Sequence, residues 1–303
     1  MFAEPSFRAF LATHPVFRTE EVLRYLGAAG TTEQTRRNLL HYHVRSGHIV
    51  PVRNGLYATV RTQDRPDSAP VDPFLVAARS ADDAVLTHHT ALSLHGYAYS
   101  VTQRFTFLTE RHMRPFTFRG QHFTSVPFPP ALIRRGAARF GIRTVDRAGV
   151  NIDVTGLERA LVDVLDRPDL GGGWEEIWRS LESVPYFDLD EVVEYALLLD
   201  NATTAAKVGF FLEQHRMSLL ADERHLARLR AHRPKGKHYL DPAAPRGSGS
   251  RRPGRLVPQW NLVVPVDVIE RSWEEPGGAD RLSGEPPAGP DEANAPHGGD
   301  LPA

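Results

Sequence analysis

One segment decides the fold prediction at the N-terminus: Thr31–Val60, with the sequence TTEQTRRNLLHYHVRSGHIVPVRNGLYATV. Its first half predicts a helix that Thr31 caps with Gln34 as the capping-box partner, and that Gly47 ends. Two apolar runs follow, and the Asn54-Gly55 pair between them is typical of a β-hairpin. A helix followed directly by a hairpin with a basic tip predicts the recognition helix and wing of a winged helix-turn-helix.

The residues before this segment complete a small helical unit. Phe7 and Phe10 are spaced for one face of a first helix. Thr19 can cap a second helix that ends near Gly27. We therefore expect a DNA-binding domain over residues 1–62.

Composition excludes several classes of protein. The chain has 303 residues and no cysteine, which excludes disulfides and thiolate zinc sites. No apolar run is long enough for a membrane span. The first residues lack the charged and apolar regions of a signal peptide, so a cytoplasmic location is expected. The length suggests about two domains.

Charge is distributed unevenly along a chain whose formal net charge is only −1. Between Arg224 and Arg255, ten lysines and arginines accompany a single acid, Asp241. Beyond Val266 the balance reverses, with nine acids against two arginines. Such asymmetry indicates interaction with charged partners better than the overall isoelectric point does.

The outward face of the predicted recognition helix carries side chains that can read DNA. Glutamine and asparagine can pair bidentately with adenine, and arginine with guanine or phosphate. The predicted DNA-binding residues are Gln34, Arg36, Arg37, Asn38, His41 and Arg45 on the helix, and Arg53 and Asn54 at the hairpin tip. The alternative is a solvated helix face in a winged helix that contacts other proteins.

The remaining chain predicts a second, larger domain. A polar, proline-containing linker spans residues 63–71 and precedes a domain over 72–265. This domain has strands first and helices later, which favours a mixed α+β fold. Its last strand is predicted over Leu256–Val264. The acidic, Pro/Gly-rich residues 266–303 are expected to be a disordered tail.

A basic run at about residues 233–255 is the second candidate for an interaction surface. It lies partly in Gly/Pro/Ser-rich sequence, so we expect a flexible loop. It is either a solubilising loop or a secondary contact to nucleic acid or to an acidic partner. The residues of the possible contact are Arg233, Lys235, Lys237, Arg251 and Arg252.

No catalytic, metal or cofactor site is predicted. His88, His89 and His95 contain no i, i+4 pair, so packed or capped histidines are expected rather than metal ligands. Thr155 and Glu158 form a predicted capping box at the start of an amphipathic helix. On the polar side of that helix we expect Arg159 and Asp163, joined by an internal ion pair. Trp260 is expected in the core.

Five sequence segments, in one order, resemble the AbiE-type abortive-infection antitoxins, the regulatory half of bacterial type IV toxin–antitoxin pairs. The resemblance extends from about residue 7 to 265, and the segments are RNGLYA, THHTALSLHG, TGLERALVDVL, VGFFLE and QWNLVVP. It implies a winged helix that binds inverted repeats in its own promoter and represses the operon. It also implies a C-terminal domain that counteracts a nucleotidyltransferase-like toxin. Arg36, Arg37 and Arg53 match the family's basic positions.

An enzymatic C-terminal domain is the alternative. Many relatives carry a small endonuclease domain there, which would need an acid-rich metal cluster typically reading V-E-x-D-G. No such string occurs in this chain, so the resemblance favours the antitoxin form without catalysis. An inverted repeat implies two copies of the protein on each operator, although not a stable dimer in solution.

Overall fold

The computed structural model describes residues 3–28, 32–61, 63–241 and 253–273, and it has a mixed α+β fold. The N-terminal unit contains, in chain order, α1 (Ala3–Thr13), β1 (Val16–Arg18), α2 (Thr19–Ala28), α3 (Glu33–Arg45), β2 (Ile49–Arg53) and β3 (Leu56–Thr59). The three strands form an antiparallel sheet in the order β1-β3-β2. Sequence patterns did not indicate β1, because three residues are too few to show a period.

Local signals set the limits of α3 and of the hairpin. Thr32 is the N-cap, and its Oγ1 accepts a hydrogen bond from the Thr35 backbone N–H at 3.2 Å. The prediction of Thr31 as the cap is therefore wrong by one residue, and Thr31 itself lies outside the described residues. Gly47 ends the helix with φ +72°, and Gly55 closes the hairpin with φ +76°. Both values lie in the left-handed region, which favours glycine.

An apolar core holds the three N-terminal helices against the small sheet. It consists of the buried residues Phe7, Phe10, Leu11, Phe17, Val22, Leu26, Leu40 and Ile49. The hairpin belongs to a second core, because Val52 and Leu56 are buried in the same cluster as Leu75 and Val76 of the larger unit. The hairpin thus packs against the rest of the chain.

A six-stranded mixed sheet forms the centre of the larger unit, in the order β6-β7-β5-β4-β9-β8. Its strands are β4 (Val85–Leu86), β5 (Arg104–Leu108), β6 (Phe116–Phe118), β7 (Gln121–Val126), β8 (Ile142–Arg147) and β9 (Val150–Thr155). The pairs β4–β9 and β5–β7 are parallel, and the other pairs are antiparallel. This mixture confirms the predicted α+β class.

Helices cover this sheet and continue into a helical layer. They are α4 (Pro73–Ala78), α5 (His89–Leu94), α6 (Pro130–Arg134), α7 (Leu157–Asp166), α8 (Trp174–Glu182), α9 (Leu189–Leu198), α10 (Ala202–Gln214) and α11 (Glu223–Ala231). The predicted capping box of α7 is wrong. Thr155 is the last residue of β9 and Gly156 is the N-cap, while the Glu158 carboxylate accepts from the Asp188 N–H.

The last part of the described chain forms a third sheet. Its strands β10 (His238–Tyr239), β11 (Gly254–Val257) and β12 (Leu262–Pro265) have the order β10-β12-β11. The single strand predicted over Leu256–Val264 is therefore wrong, because a 3₁₀ turn at Pro258–Trp260 divides it into two antiparallel strands.

Two segments that were predicted to be disordered or flexible are partly ordered in the residues that the structure describes. Helix α12 (Val266–Glu270) buries Val268 completely, so order extends past residue 266 as far as 273. The predicted flexible loop at 233–255 is paired at both ends, in β10 and β11. Residues 242–252 and 274–303 lie outside the described residues.

Trp260 is fully buried, as predicted, and joins the third sheet to α10. Its indole ring lies directly over Gly209, where an added Cβ would overlap ring carbons. The indole Nε1 donates to the Glu213 carboxylate at 2.8 Å. Among the described helices, none has both the length and the apolar character needed to cross a lipid bilayer.

Candidate nucleic-acid interface

Helix α3 presents one continuous polar face to solvent. The spacing i, i+3, i+4, i+7 and i+11 places side chains on one side of a helix. Five of the predicted DNA-binding residues have this spacing and are exposed: Gln34, Arg37, Asn38, His41 and Arg45. The opposite side buries Leu40 and His43 against the N-terminal core.

Three of these outward side chains have side-chain partners on α3. The Gln34 side-chain amide donates to Asn38 Oδ1 at 3.0 Å. Arg37 Nη2 lies 2.7 Å from Glu33 Oε1, and both side chains are more than half exposed. An exposed pair of this kind contributes only about 0–1 kcal/mol, so Arg37 can exchange its partner for a phosphate at small cost.

Arg36 occupies a different position from its neighbour Arg37. It is half-buried, and its Nη1 donates to the Leu23 carbonyl of α2 at 3.0 Å. A Cβ added at Gly27 would collide with the Arg36 guanidinium, so that glycine makes room for it. The interaction places a cation against the last turns of α2, where the helix dipole favours positive charge. Arg36 thus connects α3 to α2.

The hairpin tip faces the larger unit. The Arg53 guanidinium carbon lies 4.8 Å from the centre of the Phe116 ring, and Arg53 is half-buried. Asn54, the other predicted tip residue, is exposed. The two predicted hairpin contacts therefore have unequal access to solvent.

The predicted secondary contact is divided among several environments. Arg233 Nη1 donates to the Gln259 carbonyl at 2.6 Å, whereas Lys235 and Lys237 are exposed. Arg233 and Lys235 line an open groove of about 600 Å³ together with Arg230 and Asn261. Arg251 and Arg252 lie outside the described residues.

The three histidines of the THHTALSLHG segment are packed, as predicted. His89 Nε2 lies 2.9 Å from Glu176 Oε1, and His95 Nε2 lies 2.9 Å from the Thr155 carbonyl oxygen. His88 is buried beside Thr87, and burial holds its pKa below the ordinary value. Within the described ranges, no three His, Asp or Glu side chains are grouped closely enough to hold a metal ion.

The sequence predicted the ion pair of α7 but not that this pair is buried. Arg159 has no exposed surface, and its Nε lies 3.6 Å from Asp163 Oδ2, which confirms the predicted internal pair. The Asp163 carboxylate also accepts from Tyr195 Oη at 2.6 Å and from Thr87 Oγ1 at 3.2 Å. The side of α7 that carries Arg159 and Asp163 is buried, because α9 packs on that helix. No pattern inside α7 reveals a covering helix that begins at Leu189.

Comparison with known proteins gives a fold relative. No protein-family model matches the chain, and no curated protein matches it in sequence. The solved structures include a similar one, the crystal structure of the RV2827C protein from Mycobacterium tuberculosis. The two share 18% sequence identity with a TM-score of 0.55, over 90% of this chain and 94% of that chain. At this identity the likeness concerns the fold alone.

Proposed function

We propose that this protein is a sequence-specific DNA-binding repressor that acts as the antitoxin of a type IV toxin–antitoxin pair. The observation that carries the DNA-binding part is the outer face of α3, where five polar or basic side chains project into solvent from a well-anchored helix. The element order helix, strand, helix, helix, strand, strand supports a winged helix-turn-helix, in which α3 is the recognition helix.

Each outward residue has a specific task in this proposal. Gln34 and Asn38 read adenine edges in the major groove, and Arg45 and Arg37 contact guanine or phosphate. Arg36 acts indirectly, because its guanidinium joins α3 to α2 through the Leu23 carbonyl. Arg53 is outside the major-groove set, because its side chain faces Phe116.

The antitoxin part rests on the resemblance to AbiE-type antitoxins. It assigns repression to the N-terminal unit and neutralisation of a nucleotidyltransferase-like toxin to the larger unit. Co-expression with a nucleotidyltransferase-like gene adjacent to its own tests this part. Restored growth supports the proposal, and continued toxicity contradicts it.

Titration of the full-length protein on labelled DNA from upstream of its own gene tests the DNA-binding part. We expect salt-sensitive binding to an inverted repeat, with two protein copies bound, and much weaker binding to scrambled DNA. The double variant Arg37→Gln/Arg45→Gln should bind weakly, whereas Arg143→Gln is a matched control on the large sheet, where Arg143 pairs with Glu191. Equal binding to both DNAs would instead favour a protein-contact function for this unit.

A further inference from the structure

A cationic cleft lies between the hairpin tip and the larger unit. Its lining includes Arg18, Arg53 and Asn54 from the N-terminal unit, and Arg79, Ser80 and Arg111 from the larger unit. Its volume is about 240 Å³. The cleft can hold a phosphate or pyrophosphate group, but it is smaller than the roughly 300–1,000 Å³ of pockets that enclose drug-sized ligands.

The four guanidinium groups of the cleft differ in their partners. Arg18 lies 2.6 Å from Asp82, and Arg111 lies 3.1 Å from the other oxygen of the same carboxylate. Arg79 lies 3.0 Å from Glu21. Arg18 also lies 3.4 Å from Glu20, a further carboxylate of the cleft. Arg53 has no carboxylate partner among the residues that the structure describes, so the cleft keeps an uncompensated positive charge.

Two donors of this cleft are buried without a hydrogen bond in the described part of the chain. They are Arg53 Nη1 and Arg79 Nε. A buried donor of a charged group without an acceptor costs free energy, and such a donor in a native protein often marks a bound water or ion. Both donors belong to residues that line one cleft, one from each unit. Both atoms are closed to solvent in this conformation, so the two guanidinium groups would have to turn toward the cleft for an anion there to accept a hydrogen bond from each.

We infer that this cleft is a binding site for a phosphate group, held by Arg53 and Arg79 and supported by Arg18 and Arg111. Guanidinium is suited to phosphate, because its planar fork donates two parallel hydrogen bonds. The phosphate belongs either to a free phosphorylated small molecule or to a DNA backbone at the hairpin. The second source rests on the proposed function, and the first does not.

Calorimetric titration of the full-length protein with inorganic pyrophosphate at low ionic strength tests whether the cleft binds a free phosphorylated molecule. We expect saturable binding of one pyrophosphate per chain. Loss of a charge-assisted hydrogen bond should weaken binding about ten- to a hundredfold in Arg53→Gln. Arg111→Gln should have a smaller effect, because that side chain is more exposed and already paired with Asp82. Arg143→Gln is the matched control.

The salt dependence of operator binding, measured for the same variants, tests whether the cleft holds a phosphate of the DNA backbone. The salt slope is the slope of the logarithm of the DNA-binding constant against the logarithm of the salt concentration. If Arg53 holds a backbone phosphate, Arg53→Gln lowers the size of this slope by about one, whereas Arg143→Gln does not. Thermal melting checks that each variant folds, and Arg53→Lys keeps the charge if the glutamine variant is unstable. Pyrophosphate binding that depends on Arg53 supports the site even if the protein binds no specific DNA. If neither pyrophosphate binding nor the salt slope depends on Arg53 or Arg111, the inference is overturned.

Discussion

Two arginine–carboxylate pairs, both spaced i, i+4 on a helix, meet opposite environments in this protein. On α3, Arg37 and Glu33 lie 2.7 Å apart with their side chains 62% and 60% exposed. On α7, Arg159 and Asp163 lie 3.6 Å apart with exposures of 0% and 7%. The same sequence spacing therefore produces a replaceable surface contact in one helix and a permanent part of the core in the other. The replaceable pair is the one available to a ligand.

Removal of one partner from each pair should give the largest contrast. Asp163→Ala leaves the buried Arg159 charge without its carboxylate, and we expect it to lower the free energy of unfolding by about 3–5 kcal/mol. Glu33→Ala, the matched exposed variant, should change it by less than about 1 kcal/mol. Urea denaturation measures both. Similar losses in the two variants would contradict the assigned burial of α7.

Substitutions on the two sides of α3 should also differ in their effect on stability. Leu40→Ala removes buried apolar contacts from the inner side, and we expect a loss of about 2–3 kcal/mol, at the lower end of the usual range because the N-terminal core is small. Arg45→Ala on the outer side should leave stability within about 0.5 kcal/mol but weaken DNA binding. If Arg45→Ala were as destabilising as Leu40→Ala, α3 could not present a free outer face.

The adjacent residues Arg36 and Arg37 should differ both in their contribution to stability and in their contribution to DNA binding. Arg36→Ala removes the hydrogen bond to the Leu23 carbonyl and should lower stability by about 1 kcal/mol with an unchanged salt slope of DNA binding. Arg37→Ala should leave stability unchanged and lower the salt slope by about one. Thermal melting and a salt series on operator DNA separate these effects. Exchanged phenotypes would mean that α3 turns Arg36 toward DNA and Arg37 toward α2.

The smallest expected effect is on the pH dependence of the protein's stability. Burial holds the pKa of His88 below its ordinary 6.5, although the Asp163 charge opposes this. The unfolded chain therefore binds a proton in a pH range where the folded chain does not, so stability falls as the pH decreases below about 6.5. His88→Asn, which cannot titrate, should show a weaker pH dependence of the melting temperature between pH 7 and 5. If the pH dependence of the melting temperature were unchanged in this variant, groups other than His88 would cause it.

The sequence predicted elements whose limits depend on nearby residues. The caps and turns at Thr32, Gly47 and Gly55 act within a few residues, so α3 and the hairpin were located to within one residue. The features that patterns missed depend on distant parts of the chain. Arg53 faces Phe116, and α7 is covered by a helix that begins at Leu189. Likewise, no local pattern tells which of Arg36 and Arg37 turns toward α2.

The contact of Gly209 with Trp260 has a consequence during synthesis of the chain. Helix α10 leaves the ribosome well before Trp260, so the slot over Gly209 stays open until the C-terminal strands have been translated. A product that stops before Trp260 leaves apolar surface of α10 uncovered, which exposes it to aggregation and to proteases. Only chains translated through β12 carry the residues that close the helical layer.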